Sequence, residues 1–158
     1  MSKIECVSTY ANKLSDKEIE DIYGLLYYNM SKLYDSPLKE SYKKEWIETN
    51  SNADNILFLL FYNKDHFVGF IQCQVSDIEN HIQEVQVAEE VQGDGSTFRA
   101  MIKSFVASGE INRNVPISGE IWVRNRKSRS VFMHMGAKNR DGRYSITYED
   151  LCSWISNE

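Results

Sequence analysis

The segment from residue 82 to residue 123 constrains this chain more than any other. Ile82-Gln83-Glu84-Val85-Gln86-Val87 reads as a strand. Residues 95–107 read as a helix with Phe98, Met101, Ile102, Phe105 and Val106 on one face. Residues 117–123, Ile-Ser-Gly-Glu-Ile-Trp-Val, read as a further strand. A strand, a helix and a second strand place the two strands parallel in one sheet, joined by a right-handed crossover. Between the first strand and the helix lies Gln92-Gly93-Asp94-Gly95-Ser96-Thr97. A glycine-bearing turn that opens a helix aims unpaired backbone N–H groups and the positive end of the helix dipole at one spot, an arrangement suited to phosphate. No Gly-Lys-Ser/Thr completes a Walker A motif, and the third glycine of a dinucleotide fingerprint is missing. On these residues alone the turn is either a phosphate cradle or an ordinary strand-to-helix loop.

The rest of the chain supplies the partners this unit needs. A short strand covers 4–10. Ser15 and Glu18 have capping-box spacing, and Leu14 stands where a hydrophobic staple would. They open a helix in which Ile19, Ile22, Tyr23, Leu26, Met30 and Leu33 recur on one face until Asp35-Ser36-Pro37. A weaker helix spans 38–49. Residues 56–62 and 67–75 form a hairpin about the turn 63–66. A short helix at 128–135, a strand at 144–147 and a helix aligning Tyr148, Leu151, Cys152 and Ile155 close the chain. The expectation is a mixed α/β protein, one domain over 1–158, without linker or repeat.

Composition narrows the partners. The net charge of −5 repels nucleic acid and anionic membrane, so neither is expected as a partner. The longest apolar run, 56–61, is too short to span a bilayer, and the N-terminus lacks the apolar run of a signal peptide. Cys6, Cys73 and Cys152 are scattered, which suits reduced thiols and a cytoplasmic protein. His66, His81 and His134 lack metal-ligand spacing, so no metal is expected. Arg124, Arg126, Lys127 and Arg129 cluster at the start of a helix, either as a solvated face or as a patch for a small anion.

With these elements in order, Val87-Ala88-Glu89-Glu90-Val91-Gln92-Gly93-Asp94-Gly95 resembles the acyl-CoA-binding segment of the GCN5-related N-acetyltransferases (GNAT). That segment is a valine-ended strand followed by Gln/Arg-x-x-Gly-x-Gly/Ala. Gln92 and Gly95 fill its first defined positions, and Thr97 replaces the last small residue. A second register also matches: Asn125, Ser128, Phe132 and Gly136-Ala137 follow the family's Asn, small residue, Tyr and Gly-Phe spacing. The resemblance implies a mixed, mostly antiparallel sheet flanked by helices, splayed between the strands ending at Val87 and Val123. Acetyl-CoA would lie in the gap as co-substrate. The backbone of Val85 and Val87 would pair with its pantetheine arm. Amides of Gln92, Gly93, Asp94, Gly95, Ser96 and Thr97 would hold its pyrophosphate, and Asn125 and Phe132 would complete the cofactor site. Arg126, Lys127 or Arg129 would meet the 3′-phosphate, since Asp94 stands where many relatives carry a basic residue. The implied activity is N-acetyl transfer to a small-molecule or peptide amine, and a homodimer is compatible with it.

Acetylating an ammonium requires a base, and Glu84 and Glu120 are the candidates on the strands flanking the gap. Regular alternation would put Ile82, Glu84 and Gln86 on one face, and Gln83, Val85 and Val87 on the other. Glu120 precedes Asn125 by five residues, a spacing some family members use for their base. Either carboxylate is alternatively a solvated or salt-bridged strand residue. Tyr23, Tyr27, Tyr28, Tyr34, Tyr42 and Trp46 crowd the first two helices, either enclosing an amine or filling a core. Phe132 occupies the family's tyrosine position and has no proton to give a departing thiolate. Three readings follow: solvent protonates it, His134 or Tyr144 does, or the domain is a catalytically weak module that binds CoA or a partner protein.

Overall fold

The computed structural model describes residues 4–34, 39–50, 53–93, 95–121 and 126–157. Seven strands and five α-helices lie among them: β1 (Ile4–Tyr10), α1 (Asp16–Leu33), α2 (Glu40–Asn50), β2 (Ile56–Asn63), β3 (His66–Val75), β4 (Asn80–Val87), α3 (Ser96–Ala107), β5 (Ile117–Glu120), α4 (Arg126–His134), β6 (Lys138–Arg140), β7 (Arg143–Ile146) and α5 (Tyr148–Ser156). The expected capping box opens α1: the Ser15 side chain accepts from the Glu18 N–H at 3.1 Å, and Glu18 Oε1 accepts from the Ser15 N–H at 2.8 Å. The expected break at Asp35-Ser36-Pro37 lies outside the described residues.

The strands form one sheet in the order β1-β2-β3-β4-β5-β7-β6. Only the β4–β5 pair is parallel, as the strand–helix–strand order requires. The sheet is otherwise antiparallel. β2 shows why the fold has two layers of helix. Leu57, Leu59 and Phe61 enter a core covered by α3 and α5, while Ile56, Phe58 and Leu60 enter another covered by α1 and α2. Strands buried on both faces read as continuous apolar runs, which accounts for 56–61. β6 has no hydrophobic pattern, its three residues all being exposed, and sequence reading passed over it.

β4 and β5 touch only at their starts. Asn80, His81 and Ile82 pair with Ile117, Ser118 and Gly119, and the register ends there. Asn80 is wholly buried, and its side chain bridges to the 110s loop. Its Nδ2 donates to Asn112 O at 2.8 Å and its Oδ1 accepts from Asn112 N at 3.0 Å. Ser118 donates to Glu79 at 3.0 Å, and Arg143 donates to the same carboxylate. Beyond Ile82, β4 runs on to Val87 with, among the described residues, a partner strand on one side only, β3. The sheet therefore opens into a V whose closed end is tied by buried polar side chains.

The register of β3 on β4 corrects the simple alternation read from the sequence. Gln72 faces Glu84 and Cys73 faces Ile82, so Gln83 is an extra residue in a β-bulge. Ile82 therefore shares a face with Val85 and Val87, all three against the α3 core. Gln83, Glu84 and Gln86 share the opposite face: Gln83 accepts from Gln72, and Gln86 accepts from Asn29 of α1.

Candidate active site

Two connected cavities occupy the V. The larger, about 780 Å³, is bounded by α1, the end of β4, the turn into α3, α4 and Trp154 of α5. The smaller, about 190 Å³, sits where β4 and β5 part. Val85, Gln86, Ser128 and Phe132 line both. Of the residues expected at a cofactor, Val85, Val87, Gln92, Gly95, Ser96 and Phe132 line the larger cavity. Gly93 and Thr97 do not line it, Thr97 being buried in the first turn of α3. Asp94 and Asn125 lie outside the described residues, as does Arg124.

The turn has the backbone that a helix-terminal anion site requires. Gly95 is the N-cap of α3 at φ +83, a left-handed conformation that glycine adopts without steric cost. No side chain caps the helix, so the first amides of α3 are not held by the cap residue. Gln92 supports the turn from within: its Nε2 donates to Val87 O at 2.9 Å, and its Oε1 accepts from Lys127 Nζ at 3.2 Å. Lys127 is thereby held at the cavity wall. Arg129 instead donates to the Tyr144 hydroxyl at 3.0 Å.

α1 closes the opposite wall through contacts no local pattern could reveal. Asn29 Nδ2 donates to Gln86 Oε1 at 3.0 Å and to Val87 O at 3.1 Å. Lys32 Nζ meets Glu89 at 2.6 Å, and the Tyr28 hydroxyl donates to the same carboxylate. These bonds hold the Glu89 carboxyl below its ordinary range.

Both predicted carboxylates line the smaller cavity, from opposite sides. Their surroundings differ sharply. Glu84 is partly covered, and burial pushes its pKa up to about 7 against a weaker opposing bond from Gln86 Nε2 at 3.1 Å. Glu120 is 72% exposed and lies 3.4 Å from Arg143. A carboxyl half-ionised at neutral pH can accept a proton and release it again, whereas a solvated ion pair does neither well.

Phe132 is buried, with its ring 6.5 Å from Phe98 and 6.3 Å from Tyr144. It forms an apolar wall between the cavities. Tyr144 is 1% exposed and lines neither cavity, while His134 lines the larger one only. Of the tyrosines on the first helices, Tyr34 lines the smaller cavity, whereas Tyr23 and Trp46 fill the core under β2. Burial pushes the Cys73 thiol up to about 12, which makes it no nucleophile. Among the described residues no His, Cys, Asp or Glu cluster could hold a metal ion, and no helix is long and apolar enough to cross a membrane.

Solved structures share this architecture. A Desulfovibrio desulfuricans protein assigned to the GNAT family of acetyltransferases superposes with a TM-score of 0.69 over 92% of this chain and 99% of its own, at 11% identity. The fold is that of the GNAT acetyltransferases. The PaiA N-acetyltransferase of Thermoplasma acidophilum, solved with coenzyme A, gives a TM-score of 0.64 over 90% of this chain and 96% of its own, at 14% identity. AAC(6')-Iy, solved with the bisubstrate analogue CoA-S-monomethyl-acetylneamine, gives 0.62 over 87% and 92%, also at 14% identity. No family model and no curated protein matches the sequence. Within the GNAT fold, the parted strands, the glycine-capped helix and the two cavities lie where the sequence resemblance implied a splayed sheet.

Proposed function

We propose that the protein is an acetyl-CoA-dependent N-acetyltransferase that acts on a primary amine by direct transfer in a ternary complex. The observation that carries this reading is the placement of Glu84, a carboxyl of raised pKa that lines the small cavity and directly precedes Val85 and Gln86, which line both. The larger cavity accommodates acetyl-CoA, with Gln92, Gly95 and Ser96, which line it, offering backbone to the pyrophosphate, Gly93 and Thr97 completing the turn behind them, and Lys127 a cation. The outlying neighbours solved with coenzyme A support that assignment. Val85 and the N–H of Val87, on the stretch of β4 that no described strand pairs on that side, present strand backbone to the pantetheine arm, while Val87 O is held by Asn29 and Gln92. Asp94 and Asn125 belong to the same proposal.

The amine acceptor, a small molecule or a peptide, enters the smaller cavity as an ammonium. Glu84 takes its proton, with Glu120 placed to attract the cation. The amine nitrogen then forms a bond to the thioester carbonyl carbon and the carbon–sulfur bond breaks. Phe132 offers no proton, so water protonates the departing thiolate and the hydroxide left takes the second proton from the attacking nitrogen; a thiol of pKa about 8.5 is a tolerable leaving group. A second reading, a GNAT-fold module that binds CoA or a partner protein, is favoured by Phe132 alone. Thiol release from acetyl-CoA, measured with a panel of polyamines, aminoglycosides, amino acids and peptides, separates them. Amine-dependent release supports the transferase; tight CoA binding without release by any acceptor supports the module.

A further inference from the structure

Part of the larger cavity's lining, Arg99, Ser130, His134 and Trp154, belongs to no expected cofactor residue. The end shared with the smaller cavity holds Val85, Gln86 and Phe132 beside the carboxylates, and it receives the thioester on the reading proposed above, on which this inference rests. The nucleotide of the same ligand must then lie along the unshared lining, which holds the turn residues Gln92, Gly95 and Ser96 together with Arg99, Ser130, His134 and Trp154. We infer that the indole of Trp154, braced by Arg99, is the platform on which the adenine ring of the coenzyme stacks.

The geometry of the pair supports this. The Arg99 guanidinium lies 4.3 Å from the centroid of the Trp154 ring. It is fixed there by donating to Trp154 O at 2.6 Å and to Ile155 O at 3.1 Å, the last carbonyls of α5. A cation is favoured at a helix C-terminus, so Arg99 is held by charge as well as by hydrogen bonds. Trp154 is itself partly buried against the α3 core while still lining the cavity. A flat aromatic surface fixed before the ligand arrives loses little entropy on binding. Stacking accepts any base, and a neighbouring cation adds to it. Arg99 and Lys127 also make the wall cationic on an otherwise acidic protein, which suits the phosphates attached to that nucleotide.

Calorimetric titration of the full chain with acetyl-CoA, and with S-acetyl-pantetheine, which lacks the nucleotide, tests the platform. Trp154→Leu should weaken acetyl-CoA about tenfold and leave S-acetyl-pantetheine unchanged, while Trp154→Phe should retain most of the affinity. Unchanged acetyl-CoA affinity in Trp154→Leu overturns the platform, and so does an equal loss for both ligands, which marks a packing role. If Trp154→Leu does not fold, the wild type decides: it must bind acetyl-CoA at least tenfold tighter than S-acetyl-pantetheine, and equal affinities overturn the inference. A wild type that binds neither ligand sinks the proposed function and the platform together. A wild type that binds acetyl-CoA alongside an indifferent Trp154→Leu sinks the platform only.

Discussion

The two halves of β4 hold polar side chains in opposite ways. At the closed end Asn80 is wholly buried and reciprocally bonded to the backbone of Asn112, so its polarity is satisfied and it fastens β4 to the loop before β5. Four residues on, Glu84 is covered by the same sheet but has one weak amide bond to its carboxyl, and its charged form is disfavoured. The first arrangement is what a fold needs and the second is what proton transfer needs. The bulge at Gln83 separates them. It ends the apolar-in pattern of Ile82 and turns Glu84 towards the small cavity. On the proposed function, a single eight-residue strand carries structure at one end and reactivity at the other.

Substitutions at the two ends should separate these roles. Glu84→Gln should lower amine-dependent thiol release by at least about a hundredfold while sparing acetyl-CoA affinity, the usual scale for losing a general base. Asn80→Ala should do the reverse. It strands two buried backbone groups and should cost about 3 kcal/mol in urea unfolding, with the molecules that remain folded still active. If Asn80→Ala removed activity and left stability intact, the division between the two ends would be wrong. Gly95→Ala should cost about 1 kcal/mol of stability, because its positive φ strains an L-residue, and should weaken acetyl-CoA binding. The smallest effect belongs to Glu120→Gln. An exposed partner of Arg143 should change activity less than about tenfold.

The raised pKa of Glu84 adds a pH test with a definite sign. Its folded pKa of about 7 lies above the ordinary 4.5 of a glutamate. Between those values the folded state holds the proton more tightly than the unfolded state, so stability falls as pH rises through the window. Activity should move the other way, rising through pH 7 as the base ionises. Unfolding measured at pH 5 and pH 8 should show a difference in the wild type that Glu84→Gln reduces.

Much of this was written locally. The capping box at Ser15 and Glu18, the doubly apolar run 56–61 and the amphipathic α3 all act within one element, so spacing alone disclosed them. The β4–α3–β5 order fixed the parallel pair, and the glycine turn fixed the helix end of the site. The bulge at Gln83 was invisible because alternation presumes a regular ladder, and only the β3 register shows the extra residue. Asn29, Lys32, Arg99 and Trp154 were missed for a different reason. Their partners Gln86, Glu89 and Ile155 lie more than fifty positions away, and no local pattern encodes such contacts. The surroundings of the two carboxylates likewise needed the structure, in which Glu84 is partly covered and Glu120 is 72% exposed.

Hydrogen exchange with and without acetyl-CoA tests the central claim most directly, because it reads both ends of β4 at once. The account predicts slower exchange across residues 83–97 on ligand addition, with Asn80, His81 and Ile82, already paired to β5, unchanged. No slowing across 83–97 at saturating acetyl-CoA, or slowing confined to another part of the chain, would contradict it.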